Sequence, residues 1–445
     1  MHRRLAAAIA LFALVATACA GSTPAAEEVN VVDAISIGER HGCLVERQYG
    51  VDGNGPDRSV IWCWGEGSDG QLGDGRGALY PYSGSADSQS NGAVRVVGIE
   101  NAVSVSVVNN ETTCAVAADT GLYCWGVARP IGLEQSVWQS MGSTAGESGK
   151  NRLVPEKIMD GVELFAVAGD GFSGDKNYAC ITRAYLADTG VYCWGAGLGA
   201  HGVDYTSDWI DTPTLIEGLP EGLRVRELAL AAEQACARLE DQSVWCWQRA
   251  QQPERLDTRP VRVDTRDYLS IEAGKHRICG LATDSVLYCW GEGFTRWYGG
   301  GGYGSSFSSP TELDRFGLVS LSGLLSVGDE HVCVDYRRGV YCYGANDRGQ
   351  LGDGGSRSRE RLDERVAVRG LVYPEWSRSI VDAMPATLRG ESDYFDISAM
   401  SSSRSGTCAV VHRRVVACWG AAPLVHPDAR DDQDYLTPVV LTFNR

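Results

Sequence analysis

Fourteen of the fifteen cysteines in this chain fall into seven close pairs, and that pattern constrains its fold more than any other feature. The pairs are Cys43 and Cys63, Cys114 and Cys124, Cys180 and Cys193, Cys236 and Cys246, Cys279 and Cys289, Cys333 and Cys342, and Cys408 and Cys418. The second cysteine is followed by Trp in every pair but one, where Tyr343 follows Cys342. Seven copies of one pair predict seven copies of one structural unit, with a disulfide inside each. Zinc sites prefer two cysteines separated by two to four residues, and no such spacing occurs here.

The spacing also predicts what each unit is. Four pairs lie ten residues apart with turn signals between them, such as Asp119-Thr120-Gly121. A tight hairpin places two such cysteines opposite each other on antiparallel strands, about 4.5–5.5 Å apart at Cα, within disulfide reach. The fifth unit reads as four short runs: 260–263, 268–273, 277–282 and 285–291. Four antiparallel strands make one propeller blade. We therefore expect an all-β, seven-bladed propeller of four-stranded blades, one disulfide per blade, over residues 31–445. Trp64, Trp125, Trp194, Trp247, Trp290 and Trp419 follow the cysteines, and the two-residue period turns them to the opposite strand face. They are expected to pack between blades. The run 34–38 reads as a second strand and 437–442 as a first strand. On that phase the C-terminal strand completes the first blade and closes the ring.

The fifteenth cysteine, Cys19, follows a basic start (Arg3, Arg4) and an uncharged run too short to span a membrane. Ala16-Thr17-Ala18 before it resembles a bacterial lipoprotein lipobox. The resemblance implies a signal peptide over 1–18, acylation at Cys19, a tether over 19–30, and an outer-membrane or cell-surface location. An ordinary secretory cleavage near Ala18 or Ala20 is the alternative. The formal charge of −17 repels phosphate backbones and excludes nucleic acid as a partner.

Ser68-Asp69-Gly70-Gln71-Leu72-Gly73-Asp74-Gly75 follows Trp64-Gly65, and Asp347-Arg348-Gly349-Gln350-Leu351-Gly352-Asp353-Gly354 follows Tyr343-Gly344-Ala345-Asn346. Glycine-led turns with His41 and His331 precede two of the hairpins. Together these resemble the regulator of chromosome condensation repeat family, a seven-bladed β-propeller, in its exported cysteine-rich branch, often labelled BNR-repeat proteins. The resemblance implies a rigid binding platform. It does not carry guanine-nucleotide exchange to this chain, in which no exchange-loop motif is identifiable.

Candidate chemistry is sparse. His41, His331 and His276 occur in three units of seven, which predicts repeat-encoded hydrogen bonding and not a metal ring. Asp52–Asp57 lacks the full calcium-loop spacing and its terminal Glu. Asp74 and Asp353 belong to the repeat turn and read as turn formers. Gly299–Gly302 lacks a following helix and the P-loop lysine. Aromatic residues surround it, and Trp297, Tyr298, Tyr303 and Phe307 suit contact with a protein or a sugar, or packing onto their own blade. Long insertions after the Cys-Trp strands span about 76–92, 127–152, 196–211, 292–309 and 355–390. On a propeller they are expected at one rim, where binding usually lives. The expected protein is a monomeric, non-enzymatic, protein-binding scaffold of the cell envelope, needing no cofactor or metal and touching the membrane only through its lipid. An envelope carbohydrate binder or hydrolase and an inhibitor of a secreted enzyme are the alternatives.

Overall fold

In the computed structural model, four consecutive strands at a time form seven separate antiparallel sheets. The structure describes residues 30–49, 56–76, 92–127, 151–168, 178–184, 189–196, 209–232, 234–248, 259–291, 307–315, 324–336, 339–358, 365–372, 377–384, 396–421 and 434–441. Blade 5 is representative, with strands Tyr268–Ala273, Arg277–Ala282, Val286–Gly291 and Phe307–Arg315. One short helix, Arg378–Ala383, follows the last strand of blade 6.

The first strands are Val31–Ile37, Ala102–Asn109, Val162–Ala168, Val225–Leu230, Tyr268–Ala273, Leu325–Val327 and Ile397–Ser402. Each packs against the first strands of both neighbouring blades, and the seventh packs against the first. They therefore surround a central axis as a closed ring. All seven cysteine pairs stand directly opposite each other across the second and third strands. Their Cα atoms are 4.0–4.1 Å apart, and every pair forms its disulfide.

Seven hydrophobic cores fill the seven seams. The six tryptophans and Tyr343 are at most 1 % exposed, and each packs against residues of the preceding blade. Trp125 joins Val45, Ile61 and Cys63 of blade 1, and Trp64 joins Val410 and Cys418 of blade 7. The glycine after each Trp or Tyr adopts φ between 94° and 112°, a conformation that only glycine takes without strain. A Cβ on Gly126 would stand 2.1 Å from Glu111 O. Blade 4 has Gln248 at this place, which stays within its strand, and its fourth strand shrinks to Val261–Arg262.

Two expectations are corrected. Runs such as 260–263 are not first strands but the outer strands of the preceding blade; Val261 pairs with Cys246. The phase shifts by one strand because the segment after each third strand leads back to pair with the strand the chain has just left, before the chain crosses to the next blade. Consequently the C-terminal strand, Asp434–Val440, pairs with Val415–Ala421 in blade 7 and does not complete blade 1. The ring closes instead through Val32 N donating to Arg413 O (2.6 Å) and Ile37 N donating to Ser401 Oγ (3.1 Å). Deleting residues 434–445 is therefore expected to lower the melting temperature without unlatching the ring. The lost contacts are the pairing with Val415–Ala421 of blade 7, the packing of Leu441, Tyr435 and Val439 in the core between blades 7 and 1, and bonds to blade 6 such as Gly354 N to Leu436 O at 2.8 Å. A single cooperative but weakened thermal transition by circular dichroism is the expected result; loss of all native signal would restore the C-terminal latch.

Candidate binding face and channel mouth

Antiparallel alternation sorts the connections onto two faces. Where third strands end, the chain bonds the first-to-second-strand turns: Glu66 N to Arg40 O, Val127 N to Glu111 O, Ala345 N to Glu330 O and Ala421 N to Ser405 O, all at 2.8–2.9 Å. The opposite face joins second-to-third turns to fourth-to-first connections, as in Thr283 N to Asp267 O at 2.9 Å. The segments between third and fourth strands are 66–93, 127–151, 197–208, 249–260, 292–306, 345–365 and 422–433. Each joins the third-strand ends of the first face. The predicted insertion 355–390 is an exception to the one-rim expectation. Strand Val366–Val372 divides it, so 373–390 connects strand ends on the opposite face.

The residue two places before the first cysteine points across a seam of the first face. His41 Nε2 lies 2.7 Å from Thr113 Oγ1 of blade 2, and His331 Nε2 lies 2.7 Å from Thr407 Oγ1 of blade 7. Thr113 donates its one hydroxyl proton to Gln71 O (3.0 Å), so His41 Nε2 is the donor to it. Gln71 O and Gln350 O also accept the indole N–H of Trp125 and Trp419, each at 2.8 Å. The Gly-Gln-Leu-Gly turn is thus a clasp on the next blade. Both histidines are fully buried, and burial lowers their pKa to about 3. Turn hydrogen bonding was expected of them; the bond reaches the next blade. In blade 5 Arg277 takes this place and donates to Asp329 O at 2.7 Å. Burial lowers its pKa to about 10 against the pull of Asp329 and Glu330. In blade 3 Tyr178 does the same through its hydroxyl, to Ala231 O at 2.5 Å.

Asp353 accepts from Gly355 N and Asn346 Nδ2, both at 3.0 Å, and Asp74 accepts from Arg76 N at 3.0 Å. Both are turn formers. No group of three or more His, Cys, Asp or Glu residues that could hold a metal ion occurs among the described residues. No described helix is long and apolar enough to cross a membrane. Cys19, Trp297, Tyr298 and Tyr303, His201, His426 and the loop 50–55 lie outside the described residues. Phe307 opens the fourth strand of blade 5, paired with Gly291.

One site residue was not anticipated. Glu272, on the first strand of blade 5, stands directly across from Cys279. It is solvent-exposed, yet protein encloses it on both sides. The low hydration of its carboxylate pushes its pKa up to about 8, and the Glu227 charge adds to this. Glu227 itself is engaged, accepting from Arg238 (2.6 Å) and from Ile271 N (2.8 Å).

Comparison with known proteins supplies the fold family. No family model matches the chain. Yeast RCC1 (Prp20), solved bound to Kap60, superposes over 100 % of this chain and 91 % of its own, with TM-score 0.58 and 16 % identity. Human WBSCR16 superposes over 85 % of this chain and 87 % of its own, with TM-score 0.57 and 15 % identity. The fold is that of an RCC1-like seven-bladed propeller. Among curated proteins, the human E3 ubiquitin-protein ligase HERC2 is 28 % identical over 224 residues, which is 47 % of this chain and 4 % of the ligase. The RCC1-like propeller described here thus matches a small part of that protein. Seven buried disulfides give the propeller the character of a chain folded under oxidising conditions.

Proposed function

We propose that this RCC1-like propeller is a non-enzymatic scaffold that binds another protein through the face carrying the first-to-second turns. Its carrying observation is the sorting of connections. The third-to-fourth segments, up to 66–93 in extent, all join strand ends of that face, whereas second-to-third turns such as 118–121, 240–243 and 283–285 are short. A rigid disc that gathers seven such segments, its two longest connections among them, on one side has the usual geometry of a recognition surface. Prp20p has binding properties toward Gsp1p and histones, so this fold hosts protein binding, though fold alone does not transmit a partner.

The same proposal places the mature chain outside the cytoplasm as a monomer. Residues 1–18 form its signal peptide, Cys19 its lipid anchor and 19–30 its tether. Trp297, Tyr298, Tyr303 and Phe307 are proposed contacts.

The test is to immobilise oxidised residues 29–445 and identify by mass spectrometry what is retained from an envelope extract of the producing cell. One enriched protein is expected. Alanine at 297, 298 and 303 together is expected to abolish its capture at an unchanged melting temperature. Unchanged capture removes that loop from the interface, and enrichment of glycan without protein overturns the scaffold reading.

A further inference from the structure

The residue facing the first cysteine of each pair occupies one register position around the ring. In six blades it is small: Ser36, Ser106, Ala166, Ala229, Ser326 and Ser401. Two of these serines accept a backbone N–H from a neighbouring first strand, Ser36 from Val107 (2.9 Å) and Ser401 from Ile37 (3.1 Å). They thereby cap the unpaired edge that each first strand turns toward the axis. In blade 5 the position holds Glu272.

Its strand is bonded to Arg277–Ala282 on one side of the sheet and flanked by the first strands of blades 4 and 6. The exposed carboxylate therefore meets solvent at the axis. It stands just below the turn of Gly274, Lys275 and His276, at the mouth on the proposed binding face. No hydrogen bond or ion pair engages it among the described residues. The charged groups on the packed elements are accounted for elsewhere. Glu227 and Arg238 of blade 4 pair with each other. Arg277 reaches Asp329 O, and Lys275, His276 and Arg277 bear on Asp329. The blade 6 strand Leu325–Val327 carries no titratable side chain.

We propose that Glu272 is the anionic anchor of a channel-mouth site that receives a basic side chain, guanidinium or ammonium, projecting from the partner protein. This rests on the scaffold reading and adds the partner's chemistry. The small residues at the other six positions leave room around one acid, and the chain's net charge of −17 draws a cation toward it. Binding displaces the proton that the enclosed carboxyl holds near neutrality, so the affinity climbs as the pH approaches 8.

The probe is acetyl-Gly-Arg-Gly-amide, with its uncharged citrulline counterpart, titrated into the oxidised chain at pH 6 and pH 8. Wild type and the surface control Glu217→Gln are expected to bind the arginine peptide about fiftyfold more tightly at pH 8 than at pH 6, and the citrulline peptide at neither. Glu272→Gln, which breaks no observed bond, is expected to bind more weakly with no pH dependence. Equal binding by wild type and Glu272→Gln, or no binding of the arginine peptide by wild type, overturns the proposal. Undiminished capture of an envelope protein by Glu272→Gln also removes the channel mouth from recognition, while leaving the scaffold reading intact.

Discussion

Acidification is expected to destabilise this propeller from just below pH 6.5, before ordinary carboxylates begin to titrate. His41 and His331 are buried neutral, with pKa values lowered to about 3 by loss of hydration. In the unfolded chain each titrates near 6.5. A lowered folded pKa means that the unfolded state binds more protons between those values, so stability is complete above about 6.5 and falls as the pH drops toward 3. Protonation must also place a charge on Nδ1, which is buried at both sites. Two such groups cost on the order of several kcal/mol by pH 4, enough to unfold a marginally stable domain.

Glu272 acts in the opposite sense. Its folded pKa is raised to about 8, so its contribution is complete below about 4.5 and is lost as the pH rises through 8. A stability maximum near pH 6–7 is therefore expected from these three residues. Urea midpoints across pH 4–9 test both limbs. His41→Gln with His331→Gln should flatten the loss between pH 6.5 and 5. Glutamine already occupies this position in blade 4 as Gln234, so the pair of changes suits the fold. Glu272→Gln should flatten the loss above pH 6.5 and steepen the rise between about pH 4.5 and 6.5, where its titration opposes that of the histidines. A profile unchanged by the histidine substitutions would show that the acid limb belongs to carboxylates.

Much of the architecture is legible in the spacing of the cysteines. Opposed hairpin positions, tryptophans one residue on, and glycines after them follow from the two-residue strand period and from one backbone conformation. The strand phase was not legible. A run such as 260–263 is apolar and short whether it opens one blade or finishes another, and only its pairing with Cys246 decides. The reach of the histidines is not legible because their partners, Thr113 and Thr407, lie 72 and 76 residues away. Glu272 does not stand out because Tyr268-Leu-Ser-Ile-Glu-Ala reads as an ordinary half-exposed strand. A signal was present: Glu272 precedes Cys279 by the interval at which Ser36, Ser326 and Ser401 precede their cysteines. The partner stays illegible because the connections that differ between blades follow no repeat, and a repeat was the source of every other inference.

The seam tryptophans are expected to separate into two classes on substitution. Truncation to alanine should cost about 3–5 kcal/mol at any of them, because each fills a seam and leaves a large cavity. Phenylalanine keeps most of the volume and removes only the indole N–H. At Trp125 and Trp419 that N–H bonds Gln71 O and Gln350 O, which also accept from Thr113 and Thr407, so the substitution removes one of two bonds to a buried carbonyl and adds about 0.5–1.5 kcal/mol to the packing loss. At Trp247 and Trp290 the indole nitrogen is buried without a hydrogen-bond partner. Removing an unsatisfied donor relieves a desolvation cost and offsets part of the lost packing. Trp247→Phe and Trp290→Phe should therefore be markedly milder than Trp125→Phe and Trp419→Phe, by roughly 1–3 kcal/mol from urea midpoints at constant slope. The physical origin lies one blade earlier. Blades 1 and 6 carry the Gly-Gln-Leu-Gly turn that offers its carbonyl forward, and blades 3 and 4 do not. Equal losses at all four positions would mean that the clasp contributes nothing beyond packing. The graded outcome would identify the 1–2 and 6–7 seams as the hydrogen-bonded ones, flanking the closure between blades 7 and 1 on either side.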